Sequence, residues 1–197
     1  MFLLKVTALA VGLGALAAPL WSHPHVWADV TTEVTISAGF IEGVWTVWTF
    51  DDAFSQLILD DNNALTLTTI DPKTSAAIKK SYFDNLRAYD YYGHFHLGTK
   101  PLGVPTPTKF LARLTPSGRV QYRIFFPLGV RLDSKTSLAV AFYDESFFTD
   151  MVLEKENPIR LEVTDGGEAS FSVRPDKSKA FYGGLVVPVY AFFTWGS

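Results

Sequence analysis

The stretch Val26–Phe50, VWADVTTEVTISAGFIEGVWTVWTF, decides the fold class. Val26 to Ile36 and Ile41 to Phe50 are rich in Val, Ile, Thr and Trp, the residues that suit a pleated, half-buried surface. Ser37-Ala38-Gly39 between them supplies small residues and a glycine for a reversal, which predicts an antiparallel hairpin. In the second run both faces are apolar, with Trp45 and Val47 pointing one way and Val44, Trp48 and Phe50 the other. Such a strand belongs in the middle of a sheet, with material packed on each side.

Working outward, Asp51-Asp52 reads as the N-cap region of a short helix from Ala53 to Leu59, closed by Asp60-Asp61-Asn62-Asn63. From Asp71-Pro72 to Tyr89, the residues Ile78, Tyr82, Leu86 and Tyr89 recur at helical spacing, which predicts one long amphipathic helix with Pro72 in its first turn. Lys79, Lys80, Asp84 and Arg87 form its solvated face. A proline-rich loop, Thr99 to Pro107, leads into short strands at Lys109–Leu114 and Arg119–Phe126, which flank the turn Thr115-Pro116-Ser117-Gly118. Further strands are expected at Thr136–Tyr143, Ile159–Val163 and Ala169–Val173, and the apolar tail Phe181–Trp195 reads as a final strand or docked segment. The expected fold is mostly β, of the α+β class: a single β-sandwich-like domain with one long and one short helix.

Composition narrows the function. The 197 residues, 48% hydrophobic and 19% charged, suffice for one domain with a sizeable core. Seventeen Lys and Arg against 20 Asp and Glu give a net charge of −3 without a basic cluster, so the field that draws nucleic acid is missing. The absence of cysteine excludes disulfide scaffolds, thiolate metal sites, iron–sulfur clusters and cysteine nucleophiles. Nucleophile-elbow, phosphate-loop, dinucleotide and His-Glu-x-x-His patterns are absent too, leaving no sequence motif for a hydrolase or nucleotide enzyme.

Met1 to Ser22 has one charge, Lys5, then an apolar stretch from Val6 to about Ala18 and Pro19-Leu20-Trp21-Ser22, the layout of a secretory signal. The apolar stretch is shorter than the roughly 20 residues that span a bilayer. Residues 1–22 are therefore expected to be a cleaved signal peptide and 23–197 a single domain exported to the periplasm, with no transmembrane span in the mature chain. Ala15-Leu16-Ala17 fits the small-x-small cleavage rule best, while Leu20-Trp21-Ser22 is acceptable and makes His23 the first residue. Phe181–Trp195, interrupted by Gly183, Gly184 and Pro188, is too short and too broken to span.

All four histidines fall in two pairs, His23-Pro24-His25 and His94-Phe95-His96. On a strand, His94 and His96 share a face while Phe95 and Leu97 turn to the core. Imidazole nitrogen suits Zn, Ni, Co and Cu, and two or three such ligands with a carboxylate complete a site. An exposed polar strand face explains the second pair without any metal. If His23 is the first residue, its α-amine and the rings of His23 and His25 are three donors close together, although Pro24 has no N–H to give up to a copper chelate. A solvated terminus is the plain alternative. Asp60-Asp61-Asn62-Asn63 lacks the alternating acids and glycine of a calcium loop and reads as a polar turn.

The signal followed by His23-Pro24-His25-Val26-Trp27, then Trp48-Thr49-Phe50-Asp51 with Phe54-Ser55, Asn85-Leu86 with Tyr89 and Tyr91, and Phe142-Tyr143-Asp144 with Phe147-Phe148, resembles the domain-of-unknown-function family 1007. That family is labelled the periplasmic component of an uncharacterised ABC-type transport system. The resemblance covers nearly all of the mature chain and implies periplasmic metal handling beside a nickel, cobalt or zinc permease. Its His-Pro-His element maps onto His23, Pro24 and His25.

A single mostly-β domain without a hinge differs from a two-lobed transport receptor. The expected function is therefore a non-enzymatic periplasmic metal-binding accessory or chaperone of an inner-membrane metal permease or ABC-type transporter. His23, His25, His94 and His96 are its candidate imidazole ligands to a divalent transition metal, and Asp29 or Asp51 its candidate carboxylate. Two other readings stand beside it: a copper-dependent redox enzyme built on an N-terminal His23, and a structural partner-docking domain.

Overall fold

The computed structural model of the chain describes residues 25–196; the expected signal segment 1–22 and His23 lie outside them. The hairpin forms as the sequence predicts. Strands β1 (Val26–Ile36) and β2 (Phe40–Phe50) pair antiparallel, with Ala28 opposite Phe50 and Val34 opposite Val44. Ser37 and Phe40 exchange backbone hydrogen bonds of 3.0 and 2.8 Å around Ala38-Gly39, whose φ values are +49° and +73°. Two left-handed residues make the turn whose twist matches that of the strands it joins. A Cβ at Gly39 would lie 2.7 Å from the Leu132 carbonyl oxygen, so both φ and space require glycine.

One sheet runs β5 (Lys109–Leu114), β6 (Val120–Arg131), β2, β1, β8 (Thr149–Leu153), with β9 (Ile159–Val163) also on β1. The short β8 and β9 share the outer edge of β1, pairing parallel with Val26–Val30 and Thr32–Ile36. The second sheet runs β10 (Ala169–Pro175), β11 (Val189–Trp195), β7 (Leu138–Phe142), β3 (Gly93–Leu97), β4 (Lys100–Leu102). The sheets meet face to face. Trp48 of β2 lies 5.9 Å from Phe142 of β7, and Phe126 of β6 lies 5.6 Å from Phe95 of β3. The mostly-β, two-layer expectation holds, and β2 is the central strand of its sheet. On its outer face the Arg123 guanidinium lies 4.3 Å from the Trp45 ring, covering it where no further layer of the described residues packs.

The helical part holds one correction. Helix α1 (Asp52–Asp61) forms with Asp51 as its N-cap and ends at Asn62 and a left-handed Asn63, φ +52°. The expected single long helix does not continue to Tyr89. Helix α2 (Pro72–Ile78), capped by Asp71, passes into a π turn (Lys79–Phe83) and then a 3-10 stretch (Asp84–Tyr92). A π turn inserts a residue, so the side chain that follows Ile78 into the core is Phe83 instead of Tyr82. Phe83 stacks on Tyr91 at 5.1 Å, leaving Tyr82 and Leu86 half-buried and Tyr89 64% exposed. The tail is likewise narrower than expected. Its strand is Val189–Trp195 alone, and Tyr182–Gly184 forms a 3-10 turn before it.

Candidate functional site

A cleft of about 510 Å³ opens at the end of the sandwich where β2, α1, the π and 3-10 segment and β8 converge. Trp48 and Phe50 form its floor from alternate positions on the inward face of β2, and Phe54 joins them because the Asp51 cap fixes where α1 begins. The π turn and the 3-10 stretch bring Tyr82, Leu86 and Tyr89 to the opposite wall. Val26, Phe148 and Met151 close the third side. Among these carbon surfaces the polar groups are few: Ser81 and Asn85 on one wall, Asp144, Ser146 and Thr149 on another. A concave, mostly apolar site with a few convergent polar groups is the usual form of a ligand pocket.

Most of the polar groups have local work. Asp144 is buried, and its carboxylate accepts hydrogen bonds from Ser146 N (2.9 Å), Ser146 Oγ (2.7 Å) and Thr149 N (3.0 Å), which pins the turn carrying Phe147 and Phe148. Tyr92 hydrogen-bonds the Thr149 side chain while burial holds its phenol pKa above the ordinary value. The Tyr82 phenol donates to the Asp61 carboxylate; burial first, then that bond, push its pKa up to about 12. Behind Phe50, 4.7 Å from its ring, Tyr122 is 1% exposed and its hydroxyl has no hydrogen-bond partner among the described residues. Burial raises the Tyr122 phenol strongly, keeping it neutral.

His25 stands at the rim of this cleft. Its backbone N–H donates to the Phe148 carbonyl at 2.9 Å, its ring lies 5.0 Å from the Phe148 ring, and the next residue, Val26, lines the cleft. His94 and His96 lie elsewhere, on the outer face of β3 opposite Ala141 and Ala139 of β7, while Phe95 is buried between the sheets. The His94 ring stacks on Tyr143 at 3.5 Å and 5°, and its Nε2 is 3.1 Å from the Tyr143 carbonyl. A carbonyl only accepts, so Nε2 carries the proton and Nδ1 the lone pair. The His96 ring meets Tyr190 edge-on at 5.9 Å. Burial lowers the pKa of His94 against the opposing pull of the Tyr143 carbonyl; burial and then Lys179 lower that of His96.

The two candidate carboxylates are tied into the frame. Asp51 Oδ1 accepts from Phe54 N at 2.8 Å and Oδ2 from Trp27 N at 2.8 Å. Asp29 pairs with Arg119 at 3.0 Å, and the same guanidinium donates to the carbonyls of Phe50 and Thr49. Of the sequence-predicted ligands, the fold places His94 and His96 as neighbours, sets His25 against Phe148, and leaves His23 outside the described residues. Among the described residues, no group of three or more His, Asp or Glu gathers at metal-binding distances.

The cleft itself is not legible as a site from the sequence. Its third side depends on β8, which has no clean alternation; the available signal is the short run Thr149–Leu153, broken by Asp150 and ending at the turn residues 154–158. Yet nine of the residues that carry the family resemblance line it: Val26, Trp48, Phe50 and Phe54 from one half, Asn85, Leu86, Tyr89, Asp144 and Phe148 from the other.

Comparison with known proteins agrees with that resemblance. Over 125 residues, 64% of this chain and 89% of the other, the sequence is 57% identical to an uncharacterized 15.5 kDa protein in the trpE 3' region of Spirochaeta aurantia. The model of a family described as protein of unknown function (DUF1007) matches residues 8–182, which takes in the first sheet, the second sheet apart from β11, the helical segment and every wall of the cleft. On that match the chain belongs to the domain-of-unknown-function family 1007.

Proposed function

We propose that this protein is an exported, non-enzymatic accessory of a metal transport system, which presents imidazole ligands to a divalent transition metal and passes it to an inner-membrane permease. The export step rests on the signal-like layout of residues 1–22 and the transport role on the family resemblance. The observation that carries metal binding is the His94–His96 pair. Two imidazoles share one face of β3, and both pKa values are lowered, so both rings are neutral ligands at neutral pH. The first spends its Nε2 proton on the Tyr143 carbonyl, the arrangement that orients a metal-binding histidine and leaves Nδ1 to the metal. His23 and His25 form the second donor pair.

The test is parallel titration of the exported, N-terminally sequenced protein with Zn, Ni, Co and Cu at neutral pH. Binding near one equivalent, weakened in His94→Ala/His96→Ala or His23→Ala/His25→Ala, is the expected result and identifies both ion and site. Affinity no greater than that of free histidine, or unchanged in the quadruple alanine variant, overturns the metal reading and leaves partner docking as the function to pursue.

A further inference from the structure

Two walls of the cleft are carried by backbone that the chain adopts only at a cost. Asp90, Tyr91 and Tyr92, one after another, have φ of +49°, +50° and +56°, in the left-handed region that non-glycine residues avoid. That bend turns Tyr91 into the core against Phe83 and leaves Tyr89 and Tyr92 on the cleft. On the third side Phe147 has φ +57°, in a turn that the buried Asp144 carboxylate pins through Ser146 and Thr149. There the Phe147 ring meets Tyr182, 4.9 Å away, while Phe148 lines the cleft. Tyr89 and Phe148 thus stand on different walls with 64% and 54% of their surface exposed. Strained backbone that presents uncovered aromatic rings around a cavity is the arrangement of a ligand clamp.

The lining also defines the occupant. Among the described residues that line the cleft there is no Lys, Arg or His, and its one carboxylate, Asp144, has both oxygens engaged by N–H or hydroxyl donors. An ion entering would give up its water and find no counter-charge, so the occupant is uncharged. A sugar would need a partner for each hydroxyl; the exposed polar side chains here are Ser81, Asn85 and Ser146, and the last already donates to Asp144. Trp48, Phe50, Tyr89, Tyr92 and Phe148 instead offer ring faces and edges, which attract another aromatic ring beyond the gain from burial alone. The volume of about 510 Å³ is that of a small-molecule pocket. We propose that the cleft binds an uncharged aromatic small molecule, of about the size of two fused rings, whose hydrogen-bonding substituents meet Ser81 and Asn85. The site needs no metal and is separate from the His94–His96 pair, so it goes beyond the proposed function and stands or falls without it.

The experiment is calorimetric titration of the protein, with a metal chelator in the buffer, against three probes of one skeleton: 2-naphthol, its saturated counterpart decahydro-2-naphthol, and naphthalene-2-sulfonate. 2-Naphthol is expected to bind near one equivalent, and the saturated and the charged probes about fivefold or more weakly, from the loss of ring contacts and the cost of an unpaired charge. Tyr89→Ala and Phe148→Ala, both at exposed positions where truncation leaves the core intact, should each weaken 2-naphthol about fivefold. Leu185→Ala, exposed and outside the cleft lining, should leave it unchanged. No binding of 2-naphthol, equal binding of the saturated or the charged probe, or binding that survives both wall variants overturns the inference. Because the chelator removes metal from every titration, none of these results bears on whether the histidines hold an ion.

Discussion

Two residues show how one side-chain type takes different work from its surroundings. Asp51, a candidate metal ligand by sequence, uses one oxygen to cap α1 and the other to hold the Trp27 N–H of β1. Asp51→Ala is expected to lower the unfolding free energy by about 1–2 kcal/mol, the usual cost of a lost cap, and to leave metal stoichiometry unchanged; chemical denaturation and metal titration of the same variant check both. His94 is half-buried against Tyr143, with a folded pKa below the ordinary value of 6.5. Below 6.5 the unfolded chain binds a proton that the folded ring resists, so stability is full above that value and falls as pH drops through the window down to the folded pKa. The midpoint of denaturant unfolding should therefore decline as the pH falls below about 6.5, and His94→Gln should flatten that decline. The same shift implies that zinc held through His94 and His96 survives to lower pH than ordinary imidazoles, of pKa about 6.5, would allow; a Kd series from pH 7.5 to about 5 measures it.

Elements follow the sequence where their signals are local. The β1–β2 hairpin, the cap of α1 and the polar stop at Asn62-Asn63 each depend on residues within a few positions of one another. The long helix fails to continue for a non-local reason. Ile78, Tyr82, Leu86 and Tyr89 satisfy helical periodicity, but the core between β5, β6 and this segment receives Phe83, which contacts Phe110 at 4.8 Å and Tyr122 at 6.3 Å. The π turn that admits Phe83 moves Tyr89 out of the core and onto the cleft. A second local device is Gly43, at the bulge where β2 meets β6: a Cβ there would lie 2.3 Å from the Phe126 carbonyl oxygen and 2.6 Å from the Phe125 ring. Gly43→Ala must push the two central strands apart, and a loss of about 1–3 kcal/mol in denaturant unfolding is the expected outcome.

At the scale of the whole molecule, Trp48 joins the layers. Its ring lies 5.9 Å from Phe83, 6.4 Å from Tyr92 and 5.9 Å from Phe142, and its Nε1 donates to Thr46 Oγ1 at 3.0 Å. Trp48→Ala should destabilise the domain by about 3–5 kcal/mol in thermal or chemical unfolding, through the cavity it leaves at the point where both sheets and the helical segment meet. The same residue floors the cleft, so core and candidate site share a wall.

The sequence by itself determined the β class, the central place of β2, the caps and turns, the family and the pairing of the histidines. Those features are written in alternation, in turn residues and in short spacings, which act over one element. Only the tertiary structure decided that Asp29 and Asp51 serve the frame, that His25 and the His94–His96 pair lie against different neighbours, and that nine residues of the family resemblance line one cleft. Those outcomes depend on which strands pair across the sandwich and where the π turn sends each side chain, contacts between residues far apart in sequence that no local pattern encodes.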